Sequence, residues 1–177
     1  MCSFCNQVKI TGSAKQPDAN DIKTAVENSG LFGKKGVLRE IAFFGGSFTA
    51  IDRNYMKELL SCAHKYIELG YADGIRISTR PDCIDHEILD ILKSYSVTAI
   101  ELGAQSMREG VLEANNRGHS AKSVKDSSSL IKGYGFELGL QMMTGLYGSS
   151  MDDDIYTAQE FIKLKPDVVR IYPTIIM

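Results

Sequence analysis

The sequence predicts an α/β fold built on a parallel sheet. Three observations carry this. Short apolar, β-branched runs alternate with longer amphipathic stretches along all 177 residues. The apolar runs are nearly continuous, as expected of strands buried on both faces. The links between them are long enough for helical crossovers, which parallel strands need and hairpins do not. Both a barrel and a doubly wound sheet satisfy this pattern.

The elements follow in order. An early helix is expected over about 18–31. LREIAFFGG (38–46) reads as a strand ending in a Gly-Gly turn. NYMKELLSCAHKYIELG (54–70) reads as a helix, with Leu59, Leu60, Ala63, Tyr66 and Ile67 on one face and Gly70 as its stop. GIRIST (74–79) is a strand closed by Arg80-Pro81. Asp85 caps HEILDILKSY (86–95), where Ile88, Ile91 and Leu92 form the apolar stripe. VTAIELG (97–103) is a strand, and SAKSVKDSSSLIKGYG (120–135) a helix capped by Ser120. FELGLQMM (136–143) is a strand. MDDDIYTAQEFIKLK (151–165) is a helix with acids in its first turn and lysines in its last, matching the macrodipole. VVRIYPTIIM (168–177) is the fifth strand. A βα series that starts on a helix and ends on a strand is expected to lack its first strand and its last helix. No linker or domain boundary interrupts the pattern, so 1–177 reads as one domain cut at both ends.

Composition narrows the function classes. Hydrophobic residues make up 44% and charged residues 24%, close to a soluble average. Net charge is −2, which provides no global basic field for nucleic acid or an acidic membrane surface. No apolar window reaches the roughly 18 residues of a membrane span. The first residues lack a basic region followed by an apolar run, so a cytoplasmic, reducing setting is expected. There a disulfide framework among the four cysteines is disfavoured. Cys62 reads as a small packed side chain and Cys83 as an incidental loop residue. Cys2 and Cys5 form a C-x-x-C, which by itself fits half a zinc site, a redox pair, two iron–sulfur ligands or chance.

In parallel α/β folds ligands meet the loops at the carboxyl ends of strands. Those loops are GGSFTA (45–50), STRPD (78–82), GAQSM (103–107) with NNRGHS (115–120), QMMTGLYG (141–148) and RIYPT (170–174). Each has a bland reading. Gly45-Gly46 serves any tight turn, His119 beside Arg117 could be a solvated pair, and Met142-Met143 belongs to a core. Glu101 and Gln141 are polar residues inside apolar strands and require hydrogen-bond partners there.

In series, C-S-F-C-N-Q, G-G-S-F-T-A, I-S-T-R-P-D, I-E-L-G-A-Q-S, N-N-R-G-H-S, L-Q-M-M-T-G-L and I-Y-P-T-I-I resemble radical S-adenosylmethionine (SAM) enzymes. The branch is that of the Elongator catalytic subunit and the oxygen-independent coproporphyrinogen oxidases. The resemblance implies a partial TIM-like (β/α) barrel with five of six βα units. It implies a 4Fe–4S cluster on C-x-x-x-C-x-x-C, of which Cys2 and Cys5 match the last two cysteines; the first would precede this chain. Three thiolates leave one iron open, where the family binds the methionine end of SAM. Gly45, Gly46 and Ser47 resemble the turn that meets the methionine amino group, with Ser47 in place of the usual acid. Thr49 adds a hydroxyl. Ser78 stands where many relatives carry glutamate. Gln105 matches a residue that meets the ribose, and Arg117 one that pairs with the methionine carboxylate. Gln141 stands where coproporphyrinogen oxidase relatives carry an aspartate for the ribose hydroxyls. Tyr172 would face the adenine or the substrate.

The implied function is generation of a 5′-deoxyadenosyl radical for hydrogen abstraction, an oxidoreductase-type chemistry. The substrate is unknown, a tRNA in the Elongator-like branch or a small molecule. With two of three thiolates, this segment is expected to be inactive alone. The rival readings are a non-catalytic metal- or RNA-binding module and a degenerate SAM-binding scaffold, the latter suggested by Ser47 and Ser78. Exposed barrel edges would favour a dimer.

Overall fold

A computed structural model of the chain describes residues 16–34 and 36–174. Five strands form one sheet: β1 (Glu40–Phe43), β2 (Gly74–Thr79), β3 (Val97–Gln105), β4 (Glu137–Thr144) and β5 (Val168–Pro173). Their spatial order is their chain order, and every neighbouring pair is parallel. This order decides between the two architectures the sequence allowed. A doubly wound sheet reverses direction at a switch point and places helices on both faces. Here right-handed crossovers run one way throughout, so the helices collect on one face and the sheet curls around the other. The result is a half-barrel of the TIM type.

The described residues also form six helices: α1 (Ala19–Asn28), α2 (Arg53–Glu68), α3 (His86–Ser94), α4 (Glu109–Ala114), α5 (Ala121–Gly133) and α6 (Met151–Leu164). The caps explain the starts. Asp18, Ser120 and Ser150 each close a capping box, and Asp52 and Asp85 accept from the first-turn amides of α2 and α3. Five helices match the expected spans to within about three residues at either end. α4 was not expected: EGVLEA is too short to display a helical period, so 108–114 carried no signal. Two 3₁₀ turns, Phe48–Ala50 and Pro81–Cys83, were also absent from the sequence reading. β1 is shorter than expected because Gly45, at φ 106°, turns the chain away from the ladder.

The core lies between the outer sheet face and the helices. Ile75 and Ile77, Ile100 and Leu102, and Leu138 and Leu140 alternate onto it and meet Leu60, Leu89 and Ile131. The expected helix faces are present, with two additions: Met56 and Leu89 are fully buried while Tyr66, Ile67 and Ile91 are only partly so. Cys62 packs against this core, and burial pushes its thiol up in pKa. Among the described residues no helix is long and apolar enough to cross a membrane.

On β5 the outer positions Val169 and Ile171 remain exposed, the latter at 60%. Leu140→Ala is therefore expected to cost about 3 kcal/mol and Ile171→Ala less than about 0.5 kcal/mol, read as shifts in urea midpoint at constant slope. A large cost at Ile171 would show that a further element covers β5.

Candidate functional site

Among the described residues no helix lies against the inner face of the sheet, which is filled by charge. Strand alternation directs Glu40, Arg76, Glu101, Glu137 and Arg170 to this side. Arg76 is the hub. Its guanidinium lies 2.8 Å from Glu40 Oε2, 2.8 Å from Glu137 Oε1 and 3.5 Å from Glu101 Oε1. Glu101 is fully buried and also pairs with Arg170 Nη2 at 2.9 Å. Arg170 in turn lies over the Phe44 ring, 4.8 Å from its centroid. Gln141 Nε2 donates to Glu101 Oε2 at 2.8 Å and, at the longer distance of 3.5 Å, to Ser78 Oγ. Small residues make the room: a Cβ on Gly139 would sit 2.6 Å from Glu101 Cγ.

Above this layer, at the carboxyl end of β3, the chain folds back on itself. Gln105 is held at φ 68°, a left-handed conformation that a glutamine adopts only under constraint. It is more than nine-tenths buried, and among the described residues its Oε1 has no hydrogen-bond partner. The loop after α4 closes over it. Asn115 Nδ2 donates to the Val111 and Tyr147 carbonyls at 2.8 Å each and anchors the loop. Arg117, buried, donates from Nη2 to the Gly103 carbonyl at 2.6 Å. His119 donates from Nε2 to the Ala104 carbonyl at 3.1 Å, since a carbonyl can only accept. Alternate residues of NNRGHS thus reach inward and cap the end of β3. A Cβ on Gly103 would sit 3.1 Å from Gln105 Nε2 and 3.5 Å from Arg117 Nη2, so these side chains lie across the glycine.

The expected site residues divide into groups. Gln105 and Arg117 meet at the end of β3, while Gln141 and Ser78 meet one layer below it. Gly45, Gly46 and Ser47 line a cavity of about 790 Å³ that also borders α1 and the edge of β1. Thr49 lies at a junction between two loops. Its hydroxyl lies 2.6 Å from Thr79 Oγ1 and donates to the Cys83 carbonyl at 2.7 Å, so it ties the loop after β1 to the end of β2. Tyr172 is 43% exposed in register with Met143, and its hydrogen bond with Arg170 is the leading cause that holds that guanidinium above its ordinary pKa. Cys2 and Cys5 lie outside the described residues. Among the described residues no three His, Cys, Asp or Glu side chains are grouped to hold a metal.

The ion network was not recognised from the sequence beyond Glu101 and Gln141. Its signal was present: a charged residue at an inward position in each of five apolar runs. For His119 the solvated pair was one open reading; in the fold it caps β3.

The model of the radical SAM superfamily matches residues 1–161. The chain belongs to the radical SAM superfamily. An uncharacterised protein of Methanocaldococcus jannaschii is 33% identical over 187 residues, covering 99% of this chain and 56% of the relative. Human Elongator complex protein 3 is 33% identical over 159 residues, covering 78% of this chain and 29% of that protein. The archaeal Methanocaldococcus infernus Elp3, solved with an N-terminal deletion, superposes with a TM-score of 0.76 at 25% identity, over 90% of this chain and 42% of that one. The chain thus spans between about a third and about half of the relatives it matches. As a radical SAM chain of the Elp3-like branch, it carries the half-barrel that its strand order requires.

Burial holds the His119 imidazole below its ordinary pKa; Arg117 adds repulsion, and the Ala104 carbonyl and Asp82 act the other way. The unfolded chain therefore binds a proton more readily. Stability is complete above about pH 6.5, the ordinary histidine value, and falls as acid approaches the lower folded value. His119→Gln keeps a donor for Ala104 and removes the proton site. Between pH 7.5 and 5 its urea midpoint is expected to fall less than that of the wild type. Parallel falls would rule out His119 as the source.

Proposed function

We propose that this chain holds SAM at the carboxyl ends of its strands and, within its full-length protein, serves radical chemistry on a substrate. One observation carries the reading: a buried acceptor, Gln105 Oε1, without a partner among the described residues, adjoins a buried guanidinium, Arg117. An orphaned buried acceptor is costly unless a ligand supplies the donor. A ribose hydroxyl is such a donor, and an amino-acid carboxylate is the natural partner of a planar guanidinium. The donor and acceptor set therefore fits the two ends of SAM. Gly103 and Gly139 support this indirectly, since the missing side chains let Gln105, Arg117 and Glu101 take the positions they hold.

Each residue then has a task. Arg117, braced on the Gly103 carbonyl, neutralises the carboxylate. Gln105 accepts from the ribose. Gln141 supports the ribose from the layer below. Gly45, Gly46 and Ser47 offer backbone groups to the methionine amine, with less charge compensation than an acid would give. Cys2 and Cys5 supply two thiolates toward a 4Fe–4S cluster. When bound, that pair of cofactors supplies a one-electron cleavage of the sulfonium to a 5′-deoxyadenosyl radical. Tyr172, exposed near the end of β5, and half-buried Arg170 would face the side from which a tRNA or a small-molecule substrate approaches.

Calorimetry with SAM tests the binding half: Arg117→Ala is expected to weaken it at least about tenfold, as loss of a buried charge-assisted contact does. Absence of binding in the wild type would refute it. For the chemical half, the full-length protein reconstituted anaerobically is expected to contain iron, show a broad charge-transfer band and cleave SAM. Zinc without iron would favour a non-catalytic module instead. Iron-free SAM binding without cleavage would favour a degenerate scaffold.

A further inference from the structure

Glu101 belongs to no ligand contact expected from the sequence, yet its position controls one. A carboxylate between the guanidinium groups of Arg170, at 2.9 Å, and Arg76, at 3.5 Å, can only accept hydrogen bonds. The Gln141 amide at 2.8 Å must therefore turn its nitrogen toward Glu101. Both hydrogens of that nitrogen are then engaged, the second toward Ser78 Oγ at 3.5 Å. The carbonyl oxygen is left as the one group Gln141 can offer elsewhere, and it can only accept. Without Glu101, the amide could present either end.

We propose that Glu101 is a positioning residue that locks the Gln141 amide with its oxygen outward, so that the site reads the hydroxyls of a nucleoside ribose as donors. This rests on the reading that the strand ends bind SAM, and it adds a specificity device to it. The same arrangement explains Gly139. A Cβ there would strike Glu101 Cγ at 2.6 Å and displace the carboxylate from the amide it orients. Two independent changes, one of charge and one of shape, therefore address the same lock.

The test uses S-adenosylhomocysteine, which binds without any redox step, and its 2′,3′-dideoxyribose analogue, both by calorimetry on the whole chain. The wild type is expected to prefer the ribose form about tenfold, the worth of a well-made hydrogen bond. Gln141→Ala, Glu101→Gln and Gly139→Ala are each expected to lower that preference at least about threefold, to the part that Gln105 supplies, while binding of the dideoxy analogue changes less than about twofold. The double variant Glu101→Gln/Gln141→Ala is expected to lose no more than either single one. Should Glu101→Gln fail to fold, Gly139→Ala carries the test without altering any charge. A merely structural Glu101 would lower the melting temperature, or weaken both ligands equally, with the preference intact; that result overturns the proposal alone. A wild type that binds neither ligand overturns the SAM reading and this proposal together.

Discussion

The inner face of a curled parallel sheet must be filled, and in this chain it is filled by paired charges. Arg76 hydrogen-bonds two carboxylates, Glu40 and Glu137, and faces a third, Glu101, at 3.5 Å, while Arg170 provides the second cation. Such a network contributes little net stability compared with an apolar filling, because each ion first loses its water. Its effect is on specificity. A one-residue slip in any strand would drive an arginine or glutamate into the isoleucine and leucine core and expose the partner left behind. The network thus fixes the register of β1 to β5, and register fixes which side chains reach the strand ends.

The site depends on that register. The row Gly103, Gln141, Arg170 and the row Ser78, Glu101, Gly139 are consequences of the pairing. Glycine in each row leaves space for the longer side chain beside it. The carbonyls at the end of β3 have run out of strand partners, and Arg117 and His119 serve them instead. The left-handed Gln105 is tolerated because the loop of 115–120, anchored by Asn115, holds it in place. A rigid platform with a strained residue at its rim is the arrangement expected of a binding site.

Likeness to the M. infernus Elp3 at 25% identity with a TM-score of 0.76 fits this division of labour. A sheet core needs apolar residues of suitable size at alternate positions and tolerates many choices among them. The polar residues that point inward, and those at the strand ends, have fewer substitutes.

The alternation of βα units was legible in the sequence because it rests on local periodicity and capping: the apolar alternation in GIRIST and VTAIELG, and the caps Asp85 and Ser120, need no tertiary knowledge. The strand-end loops were legible for the same reason. What remained hidden was non-local. Periodicity alone left barrel or doubly wound open, because it does not encode strand order; the family resemblance implied the barrel, and the strand order bears it out. Arg76 and Arg170 looked like ordinary charges inside strands until register placed them beside Glu101, and Glu101 itself looked like a lone buried acid. The contact of Thr49 with the turn after β2, 2.7 Å from the Cys83 carbonyl, is likewise non-local. Helix α4 was too short to show a period at all. The sequence by itself determined which elements form and which residues end them; only the tertiary structure decided which of those residues meet, because contacts between strands 20 to 60 residues apart are set by the curl and register of the sheet.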